Sequence, residues 1–318
     1  MEKVKNFINS SFLRVYPKLP HQVQRFICLG LKHYYKPSSN IKKLRFQGEF
    51  TVRLPKNNHF KMINYGGMIE HETFWEGAFE TFENDLGWLW IELCEISEII
   101  LDIGANTGIY TLAAKAVNPK TRIYAFEPSI HTYNKLCKNV RLNRFDIECE
   151  KDAISNHSAE KVFYDLPNSS DNASLSPEKM KNWNGYRGEI LEYKVGATSI
   201  SDYIKHKNIP KIDLVKIDIE MHEPEAIEGL GEYLYKYKPI IILEVLSDEI
   251  AEKLNKLFEL NDYELFHLKK GKKAEKLEHF KMCKEYLDNW EWNFIIFHKK
   301  NKEKVKKHTS LYTNLISS

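Results

Sequence analysis

A chain of 318 residues, 42% hydrophobic and 29% charged, can bury one large α/β domain with additions, or two small domains. Its net charge of +3 makes no global electrostatic case for nucleic acid. Five cysteines (Cys28, Cys94, Cys137, Cys149, Cys283) without C-x-x-C spacing argue for free thiols in a reducing, cytoplasmic setting, against a disulfide framework or a zinc site. No apolar run approaches the roughly 18 residues of a membrane span, no export signal is evident, and the sequons at Asn9, Asn168 and Asn172 read as chance matches.

Residues 1–43 read as a helical N-terminal extension. Phe7, Ile8, Phe12, Leu13, Val15 and Tyr16 alternate with Lys3, Lys5, Arg14 and Lys18, and a second helix is expected over about 21–35. Two basic amphipathic helices suit an anionic membrane surface, packing on their own domain, or a second subunit. From Leu44 the pattern turns to strands, Phe50 to Leu54 and Phe60 to Ile63, around the turn Pro55-Lys-Asn-Asn. Phe82, Leu86, Leu89, Trp90 and Leu93 then form a helical stripe.

The stripe leads into Ile99-Ile-Leu-Asp-Ile-Gly-Ala-Asn-Thr-Gly-Ile-Tyr110, a short apolar strand, a glycine turn and a helix whose Ile109, Leu112, Ala113 and Ala116 share one face. This is a nucleotide-type cradle, but its order Asp102-x-Gly104-x-Asn106-x-Gly108 lacks the central glycine of a dinucleotide fingerprint. The Asp102 carboxylate opposes a diphosphate and suits a ligand carrying an ammonium and a cationic sulfur. An NAD-dependent oxidoreductase is therefore the rival reading.

A second strand, Arg122 to Phe126, ends in Glu127-Pro128, and Ser129 can cap the helix that follows. Ile147 to Glu150 is a weak third strand before Asp152-Ala153. An inserted hairpin with a long polar loop is expected over about 160–200. The βα rhythm resumes with Ile212 to Asp218, a helix from about Pro224 to Tyr235, the strand Ile240 to Val245 and a helix over about 248–260. Tyr263 to Leu268 and Asn293 to His298 are the last strands of a core spanning 95–298 within a 44–298 domain. Residues 299–318 are a lysine-rich tail, expected to be solvated.

In an open α/β sheet the ligand crevice lies beyond the carboxyl ends of the strands. Acids collect there: Asp102, Glu127, Asp152, Asp218 and Glu244. Glu127 lies 25 residues past Asp102, near the roughly 20 expected of an acid that accepts from ribose hydroxyls. Asp152 and the Ala153 backbone can meet an adenine edge. The densest group is Asp218-Ile-Glu-Met-His-Glu-Pro224, where His222 beside carboxylates can take a hydroxyl proton. The same acids are the N-terminus of a helix, whose dipole they favour. Asp218, Glu220 and Glu244 are the donor set of an alternative with Mg²⁺; the primary expectation is no metal.

Leu101-Asp-Ile-Gly-Ala-Asn-Thr-Gly-Ile-Tyr-Thr-Leu112, Tyr124-Ala-Phe-Glu-Pro-Ser129 and Val215-Lys-Ile-Asp-Ile-Glu-Met-His-Glu223 resemble the three signature blocks of the FkbM family of S-adenosylmethionine-dependent methyltransferases. The resemblance covers roughly residues 95–250. It implies a seven-stranded class I methyltransferase sheet, Rossmann-like, mostly parallel with the last strand antiparallel and helices on both faces. It also implies methyl transfer to a hydroxyl of a sugar, glycan or secondary metabolite. One departure is Met221, where the family usually has glycine.

Asp102, Gly104, Asn106, Thr107 and Gly108 are expected to hold the methionine end of S-adenosyl-L-methionine, Glu127 and Pro128 the ribose, and Asp152 and Ala153 the adenine. His222, with Asp218 or Glu220, is the expected base. Tyr65, His71, Trp75, Glu76 and Glu244 are expected to face the acceptor. Partners are a small-molecule or glycan acceptor, with a homodimer and a membrane-surface contact left open and no specific nucleic acid. Rivals are methylation of nitrogen, RNA or protein, and a silent binding subunit.

Overall fold

The computed structural model describes residues 10–35, 39–80, 83, 85–165, 173–175 and 190–315. The chain divides into two compact units between Glu83 and Asn84. The sequons, Phe82 and most of the expected polar loop within 160–200 lie outside the described residues.

In the first unit, helices α1 (Ser10–Val15) and α2 (His21–Tyr34) precede an antiparallel hairpin of β1 (Gly48–Arg53) and β2 (His59–Asn64), then helix α3 (Met68–Trp75). The strands alternate as a one-sided sheet should: Phe50, Val52, Phe60 and Met62 are buried, while Glu49, Thr51, Arg53, His59 and Lys61 between and beside them are exposed. Against them Phe46, Phe50, Phe74 and Trp75 pack edge to face, with Phe46 and Phe74 centroids 4.6 Å apart. Hairpin and α3 therefore share one core within this unit, where the sequence had placed the hairpin with the catalytic domain.

The second unit opens with helix α4 (Gly87–Glu95), whose apolar run is the expected stripe, and β3 (Ile99–Ile103), buried along its whole length. It continues through α5 (Ile109–Val117), β4 (Arg122–Phe126), α6 (Ile130–Asn143) and β5 (Glu148–Glu150). A second group is β6 (Ala153–Ser155), β7 (Ala159–Asp165), β8 (Leu191–Ser199) and α7 (Ile200–Lys207). The chain then runs through β9 (Leu214–Ile217), α8 (Glu223–Leu230), α9 (Glu232–Tyr237), β10 (Ile240–Glu244) and α10 (Asp248–Leu257). It ends with β11 (Tyr263–Lys269), β12 (Lys273–Leu277), α11 (Lys284–Asn289), β13 (Asn293–His298) and α12 (Lys302–His308).

The main sheet has the order β12-β11-β13-β10-β9-β3-β4-β5. From β10 to β5 every pair is parallel, and β13 enters antiparallel between β10 and β11. Seven of these strands are the class I methyltransferase arrangement, with the last strand in sequence antiparallel. The eighth, β12, is an edge strand that the sequence reading missed. It carries one fully buried side chain, Ala274, among lysines and a glutamate, so it has no apolar alternation to detect. The sheet reverses direction of growth between β3 and β9, which makes the carboxyl ends of β3, β4 and β9 the crevice of the fold.

The expected hairpin at 160–200 is the antiparallel pair β7–β8, joined by β6 parallel to β8 in a separate three-stranded sheet. The single helix expected from Pro224 breaks at Gly231, which takes φ 54°, into α8 and α9. The lysine-rich stretch differs from expectation. Residues 302–308 form α12, Val305 and Leu311 are fully buried, and Ser310 hydrogen-bonds the Glu92 carboxylate of α4 at 2.8 Å. Lysines on three sides of a short helix hide the one apolar position that anchors it. Among the described residues no helix is long and apolar enough to cross a membrane.

Candidate active site

The carboxyl edge of the sheet gathers the five acids the sequence singled out. Ile103 pairs in register with Phe126 and Ile217, Phe126 with Glu150, and Ile217 with Leu243. Asp102, Glu127, Asp152, Asp218 and Glu244 therefore stand at or just beyond the ends of five adjacent parallel strands.

Asp102 is fully buried. Its Oδ2 accepts from Thr111 Oγ1 on α5, one helical turn past the glycine turn, and Oδ1 has no hydrogen-bond partner among the described residues. Burial pushes its pKa up, against Lys216, which pulls it down. Lys216 pairs in register with Asp102 and is itself buried. Its Nζ lies 2.7 Å from Asp218 Oδ2 and 4.4 Å from the Tyr110 ring centroid. A lysine inside the apolar strand Leu214 to Ile217 is the sequence signal that marks this residue.

The turn after β3 folds over the end of β4. The Gly104 and Ala105 N–H groups both donate to the Phe126 carbonyl, at 3.0 and 2.9 Å. Gly104 has φ 83°, and a Cβ there would run into the Asp218 backbone carbonyl, so glycine is required twice over. Gly108 has φ 98°, and its Cβ would sit 2.6 Å from Leu136 Cδ1 on α6. Asn106 also takes a left-handed backbone, which its side chain supports by accepting from the Thr107 N–H at 2.7 Å. The Thr107 carbonyl accepts from Asn139 at 2.8 Å, locking the turn to α6.

Glu127 joins this turn to the next. Its Oε2 accepts from the Asn106 N–H at 3.0 Å and its Oε1 from the Ser129 N–H at 2.9 Å. Burial pushes the Glu127 carboxyl up to about 8, with Asp165 and Asp102 adding to the rise. Pro128 is half-buried between Glu127 and the Ser129 cap of α6. Ser129 Oγ and Tyr193 OH both donate to Asp165 Oδ2 at 2.8 Å. Asp165, at the end of β7, thus stands behind the Glu127 turn; nothing in its local sequence marks it. Asp152 lies half-buried beyond β5, its Oδ1 2.6 Å from where a Cβ on Gly196 would be, and Ala153 is buried as the first residue of β6.

The turn after β9 is strained. Glu220 and Met221 both take positive φ, 60° and 75°, without a glycine between them. Ser174 donates to the Glu220 carbonyl at 2.6 Å, and the Glu223 carboxylate accepts from the Ile219 N–H at 3.2 Å. His222 differs from expectation in its company. Its Nε2 lies 3.0 Å from Ser155 Oγ on β6 and its Nδ1 3.6 Å from Glu225, whereas Asp218 is held by Lys216. Burial pulls the His222 pKa down, so its ring is neutral at neutral pH.

Glu244 is buried and pairs in register with Asn293, whose side-chain amide donates to Asp85 at 3.0 Å. Burial pushes the Asp85 carboxyl up to about 6. Among the described residues no three His, Cys, Asp or Glu side chains converge as a metal site.

Tyr65, His71, Trp75 and Glu76 belong to the first unit. There Trp75 is buried, its indole N–H donating to the Leu44 carbonyl at 3.2 Å. His71 Nε2 lies 2.7 Å from the Lys42 carbonyl, Glu76 pairs with Lys42, and Tyr65 is half-buried. The Trp75 indole is thus structural within its own unit.

With a class I methyltransferase topology and an acid-edged crevice in place, comparison with known families is decisive. Methyltransferase FkbM domain matches residues 102–268, more than half of the chain. The chain belongs to this family. Similar curated proteins include the methyltransferase sdnD of Sordaria araneosa, 26% identical over 46% of this chain and 65% of its own length. The hexuronic acid methyltransferase AglP of Haloferax volcanii is 26% identical over 50% of this chain and 61% of its own length. The 31-O-demethyl-FK506 methyltransferase FkbM of Streptomyces tacrolimicus is 23% identical over 42% and 60%. The chain thus spans less than two thirds of the curated relatives it matches. The family match begins at Asp102, the residue on which the crevice is built.

Proposed function

We propose that the chain binds S-adenosylmethionine across the ends of β3, β4 and β5 and methylates a hydroxyl of a sugar, glycan or secondary metabolite. The observation that carries this reading is Asp102. A fully buried carboxyl group whose Oδ1 has no hydrogen-bond partner among the described residues is costly, and a ligand that brings a cation or a proton donor there relieves that cost. The ammonium of the methionine end is such a group, and a diphosphate is not. S-adenosylmethionine, when bound, supplies an activated methyl group. The names of two relatives, a hexuronic acid methyltransferase and a 31-O-demethyl-FK506 methyltransferase, support a hydroxyl-bearing acceptor.

In this reading Asp102 holds the ammonium and the Gly104–Gly108 turn gives backbone access. Glu127 has used one lone pair on each oxygen and keeps others for ribose hydroxyls. Asp152 and Ala153 flank the adenine. The 218–222 turn meets the acceptor: neutral His222 takes the hydroxyl proton, and Asp218 is fixed by Lys216 at the mouth. Most of the rate gain comes from alignment of the two reactants, an effect worth up to about 7–11 kcal/mol.

The test is transfer of a labelled methyl group into glycan, lipid, RNA and protein fractions, followed by mass spectrometry of the product. Label in a hydroxyl of a glycan or small metabolite is the expected result, and label confined to RNA or protein overturns it. With that acceptor, His222→Ala lowers kcat by about 10²–10⁴-fold if the ring takes the proton. Full turnover in both His222→Ala and Glu220→Gln removes the base assignment.

A further inference from the structure

The first 48 residues hold ten Lys or Arg against one acid, Glu2, a net charge of +9 in a chain whose total is +3. The remainder of the chain is therefore net negative, and the positive charge is concentrated at one end. Between residues 10 and 35 there is no Asp or Glu at all.

The same stretch wears its apolar residues outward. On α2, Gln24 and Cys28 form the buried face, and Tyr16 OH lies 3.0 Å from Cys28 Sγ beneath it. The opposite face carries Val23, Phe26, Gly30 and Tyr34, recurring at i, i+3, i+7 and i+11. Phe26 is 79% exposed and Tyr34 76%, the two highest values for large apolar side chains among the described residues. Val15, at the end of α1, is also exposed. A helix serving only its own unit would bury this stripe and expose polar residues. Here a polar glutamine is buried and a phenylalanine is left in water.

We infer that the outer face of α2 is a docking surface for the anionic surface of a phospholipid bilayer. The occupant follows from charge and shape together. Phe26, Val23 and Tyr34 are side chains that enter the headgroup boundary of a helix lying flat. Arg14 and Lys18, both exposed just before α2, supply attraction to anionic lipid, and no carboxylate in this stretch opposes them. Arg25 and Lys32 instead serve the fold, donating to the Glu49 and Phe74 carbonyls. The surface is independent of the methyl-transfer reading.

The experiment is co-sedimentation of the full chain with vesicles of phosphatidylglycerol or of phosphatidylcholine, at low and high salt. Binding at least about tenfold stronger to the anionic vesicles, weakened by salt, is expected. Val23→Asp with Phe26→Asp, at exposed positions that leave the circular dichroism spectrum unchanged, reduces it about tenfold or more. Arg14→Glu with Lys18→Glu does the same. Equal binding to both lipids, no binding, or indifference to both pairs of substitutions overturns the inference. So does a dimer in light scattering that Phe26→Asp converts to monomer without any vesicle binding, since the face would then join two copies of the chain.

Discussion

Two turns close neighbouring strand ends of the sheet, and they meet the same backbone demand with opposite residue choices. After β3, left-handed backbone falls on Gly104, Asn106 and Gly108, residue types that tolerate it. After β9 it falls on Glu220 and Met221, which do not. The first turn has no conformational strain to hold, and its positions are fixed by contact: a Cβ at Gly104 meets the Asp218 carbonyl of the second turn. The second turn holds its shape through outside support from Ser174, Glu223 and Ser155. Met221 stands where the family resemblance places glycine, and its positive φ is the physical reason that glycine is usual there.

The largest break in this comparison comes from Gly104→Ala. Left-handed strain alone costs about 1–2 kcal/mol. The collision with Asp218 then forces the two turns apart, so a fall in thermal midpoint together with loss of measurable S-adenosylhomocysteine binding is expected. Retained binding would show that the turns do not touch as described.

Asp102→Asn separates function from stability. Replacing the charged partner of a bound ammonium costs about 1.5–3 kcal/mol, roughly a 10- to 150-fold loss of affinity by calorimetry. The thermal midpoint does not fall in parallel, because burial already disfavours the ionised Asp102 carboxyl. An equal loss of stability and affinity would make Asp102 a structural residue.

Glu127 adds a pH dependence. Its folded pKa, pushed up to about 8, lies above the ordinary 4.5, so the folded state holds the proton more tightly. Its contribution to stability is full below about 4.5 and is lost as pH rises through about 8. Ligand hydroxyls prefer the ionised carboxylate, so affinity for S-adenosylhomocysteine rises over the same window and binding releases a proton. Calorimetry in buffers of different ionisation enthalpy detects that proton, and Glu127→Gln abolishes the dependence. A pH-independent affinity would remove Glu127 from the ribose position.

The smallest effect belongs to Met221→Gly. Relief of strain, about 1–2 kcal/mol, is offset by the loss of Met packing and by glycine's chain entropy of roughly 0.5–1 kcal/mol. Met221 packs against the main core. A denaturation midpoint within about 1 kcal/mol of the parent is expected, while Met221→Val, β-branched at positive φ, is clearly destabilising. A large loss in the glycine variant would mean that Met221 is held by packing rather than tolerated by the turn.

The central strands were legible because buried parallel strands read as continuous apolar runs, and Ile99 to Leu101 and Ile240 to Leu243 do so. Asp102, Glu127 and Glu244 were legible because each follows such a run directly, whereas Asp152 follows the polar stretch Glu148-Cys-Glu-Lys151. What sequence could not show is company across the fold. Asp165 reaches Ser129 and Tyr193 from the tip of β7, and His222 turns to Ser155 and Glu225 rather than to its sequence neighbours Asp218 and Glu220. Edge strand β12 and tail helix α12 were hidden for another reason: one buried side chain each, Ala274 and Val305, anchors a lysine-rich segment with no visible period. Lys216 was readable and was missed, since a charged residue inside an apolar strand marks a buried ion pair.

The central claim is that the β3 turn clamps the methionine end of a methyl donor. Isothermal titration of the full chain with S-adenosylhomocysteine and, separately, with NAD tests it most directly. Saturable binding of S-adenosylhomocysteine that Asp102→Asn weakens, with no heat from NAD, is the predicted result. Binding of NAD, or S-adenosylhomocysteine binding indifferent to Asp102→Asn, would contradict it.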